Sequence, residues 1–385
     1  MQIFKDDDAV SSIYQRAISL TISQDFAEQS NGKQMVAAQP ESQQGSSQRE
    51  LSAVEKKANK ETIIKENGHS DFKIQLMSKL YAEVHKNINE EFNNKDKRYN
   101  HILHIINAAP AILEILSLRA ASINKITPLV KSLPWLSKKL MTLVNKPQYR
   151  KRADVQVTQV NLALSYIGLD NLQLLIPTYV LKHLLPKATS PFGLLKRNLW
   201  HNSISIALAS KVLAEQEGLD GFTAFTTGML TNIGNLTVTS CVFESYNEVY
   251  KKQRQEAYDN KDKRLHNLFV DIDMPPDLLL EHLLTRSNKV SADLVELMGF
   301  DRLAITEPLF DLAYAYKLKD MHPIAQIVAK AKAYIAYRTL AKKDLIAIDE
   351  AKALLSKVRL TPANIALLKY SDIDHIKLKF YEKSS

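Results

Sequence analysis

Residues 198–234 read NLWHNSISIALASKVLAEQEGLDGFTAFTTGMLTNIG, and their apolar spacing predicts two helices. Ile204, Ala207, Leu208 and Val212 fall on one face of the first, as a 3.6-residue period requires. Gly218 is placed to end it, because glycine takes the left-handed backbone that follows many helices. Asp220 is placed to cap a second helix running toward Met229 and Leu230. Ile233-Gly234 then closes the segment as a glycine-ended turn. Trp200, just ahead of the apolar stripe, is expected to anchor the core.

The rest of the chain keeps the same character. With 385 residues and 45% hydrophobic content, there is room for one large or two ordinary domains. Ten glycines disfavour glycine-rich nucleotide loops and turn-rich β architectures. Cys241 stands alone, so neither a disulfide framework nor a cysteine zinc site is expected. No run approaches the roughly 18 apolar residues of a membrane span, and MQIFKDDDAV lacks the basic and apolar regions of a signal peptide. A cytoplasmic location is the expectation.

Charge is unevenly spread. The net charge is +9; residues 1–70 hold 8 Lys/Arg against 10 Asp/Glu, and the remainder holds 43 against 32. Val10, Ile13, Ala17 and Leu20 give residues 1–26 near-helical spacing, so this segment is expected to be a short docking helix or a frayed tail. The Gln-, Ser- and Glu-rich tract that follows lacks the apolar surface to offset ordering, and 27–70 is expected to be a low-complexity linker. Helical periodicity begins at Asp71, with Leu76, Leu80 and Val84 four apart. His101 and His104 share a helical face without a third ligand nearby in sequence, and are expected to be ordinary core or surface histidines.

Residues 126–149 (ITPLVKSLPWLSKKLMTLVNKPQY) predict a short helix halted near Ser132 by the following proline, then a second packing Leu136, Leu140 and Leu143. Lys138, Lys139, Lys146, Arg150, Lys151 and Arg152 form a basic cluster with no acid between Lys131 and Arg152. A solvated helix face accounts for such a cluster, and a phosphate-binding patch is the functional alternative. VTQVNLALSYIGLDNLQLLIPTYVL predicts a tight αα hairpin turning at Gly168.

These blocks resemble the HDOD family, the HD-related output domain of bacterial signalling proteins. The resemblance rests on a proline and an apolar residue ahead of a leucine-rich helix that ends at Asn145, with Tyr149 shortly after. The spacing Ala163, Gly168, Leu169 and the pair 198–234 complete it. It spans about residues 100–340. An all-α helical bundle related to the HD-hydrolase fold is therefore expected over 71–340, with a helical C-terminal extension at 341–385.

In HD hydrolases, histidines and aspartates hold divalent metal, which activates water. The resemblance places Asn202 at the first histidine, with Leu199-Trp200 setting the register and His201 about 100° around the helix. It places Thr231-Asn232 at the His-Asp pair and Lys332 at the distant aspartate. Neutral donors and an ammonium make a poor cation site, so no metal, cofactor or catalytic residue is expected. The family implies a regulatory, non-catalytic module acting on a protein partner, such as a signalling enzyme, kinase or regulator. The alternatives are a divergent metal-dependent phosphohydrolase and a nucleotide or nucleic-acid binder using the basic cluster.

Overall fold

A computed structural model describes residues 1–4, 7–30, 53–93, 95–149, 156–270 and 272–380. Among these, every regular element is helical. The chain begins with α1 (Asp8–Ile22), α2 (Gln24–Ser30), α3 (Ala53–Asn93) and α4 (Lys95–Ile106). A first group then follows: α5 (Ala109–Ser117), α6 (Ile123–Lys131), α7 (Pro134–Val144), α8 (Val160–Ile167) and α9 (Leu169–His183). The central helices are α10 (Leu195–Gln216), α11 (Gly221–Leu230), α12 (Ile233–Asp259), α13 (Lys263–Val270) and α14 (Pro276–Leu297). The chain closes with α15 (Thr306–Tyr314), α16 (Pro323–Ala341), α17 (Ile348–Lys357) and α18 (Pro362–Tyr370).

The predicted pair 198–234 is α10 and α11, packed on each other and both on α16. Gly218 has φ +72, the left-handed value its place after α10 demands. Asp220 accepts a hydrogen bond from the backbone N–H of Thr223 at 2.8 Å, the cap expected of it. Gly234 differs from the expectation, for it sits in the first turn of α12 rather than ending a turn. A Cβ built there would lie 1.9 Å from the Ser287 carbonyl oxygen on α14. The residue is glycine because two helix backbones meet at that point. Its N–H donates to Ser291 Oγ at 2.9 Å, and Ser291 donates on to the Thr231 carbonyl at 2.9 Å.

The N-terminus corrects the sequence reading most. Residues 1–26 are neither a frayed tail nor a segment held out for docking elsewhere; α1 is part of the bundle, against α10, α14, α16 and α17. Ile3, Phe4, Val10, Ile13 and Ile22 are all essentially buried, and each buried side chain of this size contributes roughly 1.5–3 kcal/mol. Asp7 caps the helix by accepting from the N–H groups of Ala9 and Val10. Arg16, 9% exposed, donates to both carboxylate oxygens of Glu350 at 3.0 Å and to the Leu345 carbonyl at 2.7 Å. A 15-residue helix is marginal alone in water; these distant partners are what hold it.

The linker expected at 27–70 does not hold at its two ends. Residues 27–30 complete α2 and 53–70 open α3, while 31–52 lie outside the described residues. Alanine, glutamate and lysine, all strong helix formers, extend α3 toward its N-terminus from the face where Leu76, Leu80, Val84 and Ile88 are buried. α3 lies along α12.

Two asparagines each clamp the backbone of a distant residue. Asn145, at the end of α7, donates to the Val157 carbonyl and accepts from the Val157 N–H, both at 2.9 Å. Asn171 on α9 treats Lys379 in the same way, at 2.8 and 2.9 Å. The second clamp draws the C-terminal extension back across the first helical group, where Phe380 packs against Tyr149 and Tyr166.

Candidate functional site

α10 touches both α11 and α16, and this brings three distant stretches of sequence to one place. Asn202 lies on α10, Thr231 at the C-terminal boundary of α11, Asn232 at the start of α12, and Lys332 midway along α16. All four predicted positions converge. Lys332 Nζ donates to Thr231 Oγ1 at 3.4 Å and to Asn288 Oδ1 on α14 at 3.2 Å. Asn202 and Asn232, with Lys332, line a cavity of about 50 Å³.

Lys332 is 6% exposed, and burial alone pulls its ammonium down from 10.5 to about 8. It is therefore still protonated at neutral pH. No aspartate or glutamate lines the cavity. The carboxamides are engaged with one another and with the main chain: Asn232 donates to the Gly228 carbonyl at 3.2 Å and accepts from Asn235 at 3.0 Å.

α1 closes the cavity. Tyr14, Ala17, Ile18 and Thr21 form one wall. Thr21 is held from both sides, its hydroxyl accepting from Asn202 at 3.0 Å and its carbonyl from Asn198 at 3.1 Å. Burial pushes the Tyr14 phenol up to about 12, with a hydrogen bond to Asn288 acting the other way. No local pattern along the chain signals this contact. Tyr14 and Thr21 sit in a segment whose apolar spacing marks a helix without naming its partner, and Asn235 and Asn288 lie outside any recognisable motif.

These residues do not fit a divalent cation. Such ions are held by carboxylate oxygen, imidazole or thiolate, and here an ammonium occupies the centre of the donor set. His201 is exposed on α10, away from the cavity, and His101 and His104 are exposed on α4. Among the described residues no group of three or more His, Cys, Asp or Glu is arranged to hold a metal ion.

The basic cluster lies elsewhere, on α7 and the turn after it. Lys138, Lys139 and Lys146 are exposed; Arg150, Lys151 and Arg152 fall outside the described residues. Lys138 and Lys146 border a shallow groove with Met141, Thr142, Asn145 and Pro147. The fold adds Lys182, at the end of α9, to this cluster. Its ammonium is pulled down by partial burial and then by Lys139 and Lys146. Lys182 also sits 4.9 Å from the centre of the Trp200 ring, and the neighbouring His183 stacks on Trp135 at 4.1 Å.

The described elements define a class, an all-helical bundle in which α10, α11 and α16 bring neutral amides, a hydroxyl and one buried ammonium together. Residues 102–271 match the HDOD domain model, and this part of the chain is an HDOD domain. The match ends before Lys332, so the fourth position is joined to the others by the tertiary structure. No curated protein matches the chain. Among solved structures, it is similar to a presumed metal-dependent phosphohydrolase from Shewanella amazonensis SB2B. Identity there is 14% with a TM-score of 0.41, covering 71% of this chain and 100% of that one. It is also similar to an HDOD domain protein of unknown function from Geobacter sulfurreducens, at 18% identity and a TM-score of 0.39. That similarity covers 70% of this chain and 84% of the other. No described helix is long and apolar enough to cross a membrane.

Proposed function

We propose that this chain is a non-catalytic signal-transduction protein of the cytoplasm, whose HDOD bundle presents its helical surface to another protein. The partner class is a signalling enzyme, kinase or regulator. One observation carries the non-catalytic reading: the Lys332 ammonium is buried among Asn202, Thr231 and Asn232. Its charge repels a divalent cation from the place where the HD scaffold holds one. Neutral amides and a hydroxyl supply no general base of ordinary strength. What supports the protein-binding half is the HDOD domain itself.

Two measurements test the halves separately. Elemental analysis of the purified full-length protein, with phosphomonoester and cyclic-dinucleotide turnover assays, is expected to give substoichiometric metal and no hydrolysis. Stoichiometric Fe, Mn or Mg with turnover would establish the divergent phosphohydrolase instead. For the partner, affinity capture from native lysate followed by reassembly from two purified components is expected to give a defined complex. The full-length chain is the right bait, because removing α1 would uncover the core.

A second reading has a specific support. Lys182 joins Lys138, Lys139 and Lys146 beside the Trp135, His183 and Trp200 rings, an arrangement suited to phosphate and base stacking. Nucleotide or nucleic-acid binding there would fall steeply with salt. Binding to single-stranded oligonucleotides that is absent, or indifferent to salt, removes this reading.

A further inference from the structure

The cavity under α1 contains a positive charge without a negative one. Lys332 has three N–H donors, and its two acceptors are the neutral oxygens of Thr231 and Asn288 at 3.4 and 3.2 Å. Every other lining side chain is apolar, a hydroxyl or a carboxamide. A bare ammonium in such surroundings is costly, and a buried charge is ordinarily compensated by an opposite one. The lining also holds spare donors. Each amide carries two N–H groups, and Asn202, Asn232 and Asn235 use one each toward Thr21, Gly228 and Asn232. The cavity, at about 50 Å³, has room for roughly three or four water-sized groups. That admits a small planar oxyanion and excludes a nucleotide or a sugar phosphate. Ile18, Asn202, Asn235 and Thr339 at its edge are half-buried rather than sealed, which leaves a route in.

We propose that this cavity is a small-anion site, in which Lys332 and the Asn202, Asn232 and Asn235 amides bind a monovalent oxyanion of the size of nitrate, formate or acetate. The bound charge neutralises Lys332 and bridges α16, α12 and α10 beneath α1. The site therefore couples the seating of the N-terminal helix to the small anions around it. The inference rests on the cavity and its donors and does not depend on the protein-binding role; affinity capture and reassembly test that role, and the following series tests this one.

The probe is sodium nitrate, exchanged for sodium gluconate at constant ionic strength, because gluconate is too large to enter. Equilibrium unfolding of the full-length protein is followed across the exchange. Wild type is expected to gain stability with nitrate along a single-site saturation curve, as a ligand that binds only the folded state requires. Lys332→Met is expected to show a flat response. Lys330→Met removes a lysine on the same helix that pairs with Glu217 at 2.7 Å, and is expected to keep the wild-type response. Asn235→Asp supplies a carboxylate to the cavity from the chain itself and is expected to abolish the response, which keeps the proposal testable should Lys332→Met fail to fold. A flat wild-type titration overturns the proposal. So does a nitrate response that Lys332→Met and Asn235→Asp retain, which would mark a general salt effect.

Discussion

Asn202 on α10 donates a hydrogen bond to the Thr21 hydroxyl on α1 at 3.0 Å, across 181 residues of sequence. The side chain that the family resemblance sets against the first metal-binding histidine is thus turned toward the chain's own N-terminal helix. That contact makes α1 part of the site as well as part of the core.

Ile13 tests how firmly α1 belongs. It is fully buried, and truncating a buried isoleucine costs about 2–5 kcal/mol through lost burial and the cavity left behind. Ile13→Ala is therefore expected to lower stability by at least ~2 kcal/mol in urea denaturation. A frayed tail would show a change within about 0.5 kcal/mol.

Gly234→Ala places a methyl group against the Ser287 carbonyl, where 1.9 Å is available. Overpacking of this kind costs roughly 1–3 kcal/mol or more. The expected outcome is a destabilised protein with α12 and α14 pushed apart, read by denaturation and by faster amide exchange at Gly234, whose N–H now reaches Ser291. A neutral substitution would contradict the helix contact.

Lys332→Met removes a buried charge and keeps an unbranched side chain. In gluconate buffer at pH 7 it is expected to match or exceed wild type in stability, by up to about 4 kcal/mol. The pH dependence has a definite sign. Burial lowers Lys332 from 10.5 to about 8, so the folded chain sheds the proton first and the unfolded chain binds more protons in between. Wild-type stability should rise from about pH 8 to about pH 10.5, and the variant should lack that rise.

His282 gives a second pH window. It is 2% exposed, its Nε2 lies 3.1 Å from His85 Nδ1, and Arg286 Nε donates to its Nδ1 at 3.2 Å. Burial first, then His85 and Arg286, depress it from 6.5 to about 4. A depressed folded value means that stability is present above pH 6.5 and lost as pH falls toward 4. His282→Gln is expected to flatten that part of the stability profile relative to wild type.

Asn171→Ala cuts both hydrogen bonds to the Lys379 backbone. The Lys379 amide is expected to exchange at close to the unprotected rate in the variant, with the bundle otherwise intact. Retained protection would assign the C-terminal anchor to Phe380 instead.

The amino-acid sequence determined the all-helical class and the character of the central pair. Ile204, Ala207, Leu208 and Val212 repeat at helical spacing, and Gly218 and Asp220 set the boundary between α10 and α11, because periodicity and capping are local. The same local chemistry left α1 ambiguous: Val10, Ile13 and Ala17 announce an apolar face, but nothing in 26 residues says what it covers. Only the tertiary structure decided that it covers α10, α14, α16 and α17, with Arg16 bonded to Glu350 on α17 and Thr21 to Asn202 on α10. It also decided why residue 234 is glycine, since Ser287 approaches from another helix, and how Lys332 reaches Thr231 from 101 residues away. Side-chain type is written along the chain, but the absence of a counter-charge is a property of three-dimensional surroundings. The sequence alone supplied the lysine; packing made it a buried cation facing amides.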